Sequence, residues 1–217
     1  MKQIGNLLKQ TRRETSLQVS QTNARSMQIA CLTTKYSDFK ALATVFNPSA
    51  GARLPNNINR AFNSDTPTLE LISAAYGRHN ALNWINVQIN SIDLYTQVKN
   101  DLNEYARNEM SELILSHYGF LKLPEFMLFV ARFKLGIYGR FYGSFDPLYL
   151  CEALKKFRVD RNAELERIRI RNTQRAIEER ASQIPEGYTS WAWYQEVKKR
   201  AEAGDIEAIE LLKPPKK

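Results

Sequence analysis

The stretch Pro124-Glu-Phe-Met-Leu-Phe-Val-Ala-Arg-Phe-Lys-Leu-Gly-Ile-Tyr-Gly-Arg-Phe-Tyr-Gly-Ser-Phe-Asp-Pro147 decides the fold, because it holds two helix starts on either side of a glycine break. Pro124 begins the first helix, and Phe126, Phe129, Val130 and Phe133 then recur at helical spacing. Gly136, Gly139 and Gly143 interrupt the chain over 136–145. Asp146-Pro147 opens the second helix, with Asp as N-cap and Pro at the first helical position. Its apolar stripe is Leu150, Ala153, Leu154, Phe157, Leu165 and Ile168, and it thins beyond about residue 170.

The same punctuation extends outward. Upstream, Phe39, Leu42, Ala43 and Phe46 give one face of a helix over 38–46, and Asn47-Pro48-Ser49-Ala50-Gly51 ends it with turn residues. Residues 51–65 read as a polar loop. Asp65 or Thr66 is expected to cap a helix that opens with Pro67, carries Glu70 in its first turn, packs Leu69, Ile72, Ala75 and Tyr76 inward and stops at Gly77. Trp84, Val87, Ile92 and Tyr95 argue for another helix, although the alternation over 87–92 also fits a short strand. A helix over 99–118 uses Leu102, Tyr105, Ala106, Glu109, Leu113 and Ile114.

Downstream, Pro185-Glu-Gly187 ends the long helix. A hairpin follows, with a helix over Trp191–Ala203, a turn at Gly204-Asp205 and a short helix stopped by Pro214-Pro215. The expected class is all-α, an irregular bundle of roughly seven or eight helices with strand under about 10% of residues. Three regions are expected: a basic polar arm (1–30), a helical core (31–185) and a helical hairpin (186–217).

A hydrophobic content of 43% is globular, and the net charge of +8 favours anionic partners. Residues 1–30 carry five basic and one acidic residue, 31–121 seven and eight, 122–185 thirteen and eight, and 186–217 six of each. Positive charge therefore gathers on the arm and around the glycine cluster. Cys31 and Cys151 lie far apart, which suits a reducing compartment better than a disulfide scaffold. No apolar segment of secretory type follows Lys2, and the longest apolar runs, such as Phe126–Ala131, are far shorter than the ~20 residues of a membrane span. A bacterial cytoplasm is the expected location, with no membrane partner.

Few catalytic signatures are present. His79 and His117 are the two histidines, and no zinc or di-iron spacing includes them. Ser37-x-x-Lys40 matches a serine-lysine pair only formally, since Ser37 suits a helix cap. Asp101, Glu104, Glu109 and Glu112 near one helix face read as a solvated surface rather than a Mg²⁺ site. The glycine spacing is neither a Walker A loop nor a dinucleotide fingerprint, and Asp146 would repel a phosphate at the helix start that follows. The expectation is a protein with no enzymatic activity, no metal and no cofactor.

Two segments remain as candidate sites. Ten of the 23 aromatic residues lie between Tyr118 and Tyr149. Tyr138, Phe141 and Tyr142 with Arg140 either wedge into the core or face outward to stack on bases or a partner. From 157 to 182 there are seven arginines and no lysine, interspersed with Glu164, Glu166, Glu178 and Glu179. Mixed charge suits a solvated helix with internal ion pairs, whereas the preference for arginine suits phosphate or interface recognition. The Arg200–Leu212 segment looks like one helix pair of an alpha-solenoid. As a single copy it reads as a packed hairpin with Trp191, Trp193 and Tyr194 as anchors.

The phrase Gly136-Ile-Tyr-Gly-Arg-Phe-Tyr-Gly-Ser-Phe-Asp-Pro147, followed by an Arg-rich helix, resembles small uncharacterised helical proteins encoded by phages and mobile elements of gut bacteria. The likeness covers about 124–165 and the Gly-Asp-x-Glu-Ala segment at 204–208, and it brings no known activity. The leading expectation is a nucleic-acid-binding accessory protein of such an element, in DNA replication or handling, with DNA preferred to RNA. Arg12, Arg13, Arg140, Arg158, Arg161, Arg167, Arg171 and Arg175 would contact phosphates, and Tyr138, Phe141 and Tyr142 would stack. The alternative is a phage assembly or adaptor module, in a cell or a virion, with Trp191 and Trp193 in subunit contacts. A nucleic-acid binder should show one contiguous positive face; an adaptor should show exposed apolar patches beside a mixed-charge helix.

Overall fold

The computed structural model describes residues 22–62, 65–96, 103–139, 146–182, 184–185 and 187–213. The chain is all-α, and the described residues hold no strand beyond a single antiparallel bridge between Thr68 and Lys122. It divides into two compact units, Met1–Val159 and Asp160–Lys217.

The amino-terminal unit begins with helix α1, described over residues 22–35, so residues 22–30 of the expected arm are helical. Arg12 and Arg13 lie outside the described residues. Leu32 is buried, and the Tyr76 hydroxyl donates to the Tyr36 carbonyl at 2.7 Å, tying the end of α1 to the helix that Tyr76 closes. Asp38 caps α2 (Phe39–Val45) by accepting the Ala41 N–H at 2.7 Å. The segment read as turn and loop is instead a run of short helices: α3 (Pro48–Gly51), a 3₁₀ turn (Leu54–Asn56) and α4 (Ile58–Phe62). Gly51, Leu54, Ala61 and Phe62 are buried in it, because this run covers the helix over Leu123–Lys134.

Helix α5 (Leu69–Tyr76) is capped by Thr68, three residues beyond Asp65 and two beyond Thr66. A reciprocal clasp fixes that start. Leu69 and Glu70 donate to the carbonyls of Leu121 and Gly119 at 2.9 and 2.8 Å, and Leu123 donates to the Pro67 carbonyl at 3.0 Å. The first N–H groups of α5 and α8 thus find partners in each other's entry segments rather than in side-chain caps alone.

Residues 87–92 are helical, within α6 (Arg78–Thr96). Ile85, Ile89 and Ile92 are fully buried while Val87 and Tyr95 are exposed, so helical period wins over alternation. Gln88 and Trp84 donate to the Phe46 carbonyl at 3.2 and 2.8 Å, anchoring the end of α2 on α6. Asn103 caps α7 (Glu104–Tyr118), and Arg107 on it pairs with buried Asp93 at 3.2 Å. Ile114 is buried as expected, but Tyr105 and Leu113 are exposed and Met110 and Leu115 take the inner face.

Helix α8 (Leu123–Lys134) is the centre of this unit, and it is buried on every side rather than along one face. Ten of its twelve residues are buried, including Glu125, whose carboxylate accepts the Lys122 N–H at 2.9 Å. Here α3, the 3₁₀ turn, α4 and α6 cover it. Phe129 is fully buried, with the rings of Phe126, Phe133, Tyr138 and Phe157 all 5.6–6.0 Å away. Asp146 starts α9 (Pro147–Ser182), accepting the Leu148 N–H at 2.8 Å. Leu150, Ala153, Leu154 and Phe157 are buried, as their spacing predicts.

In the carboxyl-terminal unit lie the rest of α9, α10 (Ser190–Glu202) and α11 (Ile206–Leu212). Its core is small: Ile168, Val197 and Ala208 are its buried apolar residues among those described.

Candidate interaction surface of the carboxyl-terminal unit

From residue 160 onward α9 keeps only a narrow inward stripe. Ile168 is buried and Leu165 and Ala176 are half-buried, while Ile170 and Ile177 are 61% and 55% exposed. Arginine and glutamate share the remaining surface. Arg167 pairs with Glu164 at 3.1 Å and Arg169 with Glu166 at 3.7 Å, both one turn apart. Arg171 and Arg175 are exposed and have no acidic partner among the described residues. With Arg167 they form a row at four-residue intervals, each step rising about 6 Å along the helix.

The hairpin supplies the aromatic part. Thr189 caps α10, accepting the Ala192 N–H at 3.2 Å. Trp191, in the first turn, and Tyr194 stack at 5.8 Å and 27°, although they are 69% and 46% exposed. Trp193 is half-buried and edge-on to Tyr188. It lines a groove of about 380 Å³ with Val197, Leu211 and Leu212, and Arg180 and Lys213 add charge to it. Ile206, Ile209 and Leu211 on α11 are also exposed. Large apolar and aromatic side chains are thus exposed on both α10 and α11.

The two units differ in charge, and the excess lies in the unit that holds the arm and the glycine cluster. The amino-terminal unit carries nineteen basic and twelve acidic residues, the carboxyl-terminal unit twelve and eleven. The part of the Arg-rich helix from residue 160 onward therefore belongs to a nearly neutral unit.

Other candidate residues fall as follows. Tyr138 is 5% exposed and packs on the Phe129 ring, so of the two readings it takes the core one and is not a stacking surface. Arg140, Phe141 and Tyr142 lie outside the described residues. Arg158 is exposed on α9 in the amino-terminal unit, and Arg161 is half-buried. Burial raises the pKa of Cys151, which makes its thiol a poorer nucleophile, and likewise raises Tyr118 and Tyr149. Among the described residues no three His, Cys, Asp or Glu side chains gather as a metal site, and no helix is long and apolar enough to cross a membrane.

Residues 103–204 match the model of a family of unknown function (DUF6633), from the N-cap of α7 to the turn after α10. No curated protein matches the chain. No solved structure matches it either.

Proposed function

We propose that the chain is a non-enzymatic assembly protein of a phage or mobile element, whose carboxyl-terminal unit makes contacts between copies of the chain. The observation that carries this reading is the exposed Trp191–Tyr194 stack beside a mixed-charge helix. Large aromatic residues are the usual anchors of protein interfaces. Nearly equal numbers of opposite charges favour self-complementary pairing, since one patch can meet its own copy without net repulsion. The source rests on the likeness of the Gly136–Pro147 phrase. Light scattering coupled to size exclusion tests the assembly: the parent should exceed its 25.1 kDa chain mass, and Trp191→Ser with Tyr194→Ser should return it to that mass at unchanged helicity. A parent that stays monomeric at tens of micromolar overturns it.

A second reading is favoured by the Arg167, Arg171 and Arg175 row, which suits the phosphates of DNA in replication or DNA handling, with Trp191 and Tyr194 as flat surfaces for bases. The chain's net +8 would add general attraction. Fluorescence anisotropy with short single- and double-stranded DNA at two salt concentrations tests it. Replacing the three arginines with Gln should weaken binding and flatten the salt dependence by about one unit of slope for each phosphate left without its arginine. Absence of salt-sensitive binding at low ionic strength overturns it.

A further inference from the structure

The short helices that replace the expected 51–65 loop enclose a pocket of about 550 Å³ against α8. This is within the range of small-molecule sites, ~300–1,000 Å³. Its floor is apolar, from Phe46, Leu54, Pro124 and Met127, all buried. Arg53 and Arg60 supply its charge, and no acidic residue contributes to the lining. Both arginines are exposed, and neither has an acidic partner among the described residues. The wall is held in place from behind, because the Phe46 carbonyl accepts from both Trp84 and Gln88. Asn47 satisfies its own side chain locally, donating to Thr44 and accepting from Ala50.

We propose that this pocket binds a small organic oxyanion: a phosphate or carboxylate head held by Arg53 and Arg60, on an apolar body that rests on Phe46, Leu54 and Met127. Guanidinium groups bind either head in charge-assisted, frequently bidentate fashion, and the apolar floor excludes an inorganic ion as the full ligand. The neighbouring groove of about 760 Å³ lacks this character. Its cation, Lys134, already donates to Ser91 at 2.9 Å and lies over the Tyr95 ring.

The probes are 1-naphthyl phosphate and 1-naphthoate, titrated into the full chain by calorimetry, with 1-naphthol and inorganic phosphate as half-ligands. At least one naphthyl anion should bind saturably at one site, with both half-ligands about tenfold weaker or more. Arg53→Gln with Arg60→Gln should weaken the anion by about tenfold while thermal melts stay those of the parent, since both side chains face solvent. Trp191→Ser with Tyr194→Ser should leave binding unchanged, which separates this pocket from the aromatic surface of the hairpin. The proposal is overturned if neither anion binds, if naphthol binds equally well, or if the double arginine variant retains full affinity.

Discussion

Arg200 and Asp205 clamp the turn between α10 and α11, with the guanidinium Nε and Nη2 2.8 and 2.6 Å from one carboxylate oxygen. The other oxygen accepts the N–H groups of Glu207 and Ala208, capping α11. The backbone closes the same turn: Gly204 donates to Ala201 at 3.0 Å and Asp205 to Arg200 at 3.1 Å. That pattern needs a left-handed residue, and Gly204 has φ of 91°. One aspartate thus joins the end of one helix to the start of the next.

The pH response of the hairpin follows from this. The hydrogen bond from Arg200 is the largest cause holding the Asp205 carboxyl below the usual carboxylate range. A depressed pKa in the folded state contributes stability above the unfolded value of about 3.9, and that contribution is lost as pH falls through the folded pKa. Asp205→Ala should loosen α11 at neutral pH and remove this acid-dependent loss. Hydrogen exchange of the 206–212 amides at pH 7 and pH 3 measures both effects.

Phe129 is the centre of the aromatic cluster, and Phe129→Ala should cost about 3–5 kcal/mol, because a fully buried ring leaves a cavity that four neighbouring rings cannot fill. Denaturant unfolding at constant m-value measures it. A loss under about 1 kcal/mol would show that the neighbours collapse into the space.

Gly139 has φ of 114°, and a Cβ there would stand 3.0 Å from the Tyr149 hydroxyl. Gly139→Val therefore combines backbone strain with crowding, and should cost more than the ~1 kcal/mol of an ordinary helix glycine change. A thermal melt matching the parent would contradict this placement.

Replacing Arg167, Arg171 and Arg175 with Gln should leave stability within about 1 kcal/mol of the parent, because exposed ion pairs such as Arg167–Glu164 contribute little. The triple variant thus reports on binding and assembly without confounding loss of fold. A large drop in melting temperature would show that these arginines support packing.

Residue order alone determined the all-α class, because caps, stops and apolar spacing act within a few residues of one another. Asp146 caps as expected, Gly77 ends α5, and the stripe from Leu150 to Phe157 is buried, whereas Asp38 rather than Ser37 caps α2. Tertiary structure decided what each surface meets. Val87, Tyr105 and Leu113 lie exposed, while Gln88, Asp93 and Glu125 are buried. Burying a polar side chain requires a hydrogen-bond partner. Gln88 and Asp93 find theirs across the fold at the Phe46 carbonyl and Arg107, beyond the reach of local pattern. The same distinction holds for the candidate sites. The arginine row and the Trp191–Tyr194 pair are legible as spacing on a helix. The Arg53–Arg60 pocket is not, because it exists only where the 48–62 helices fold over α8.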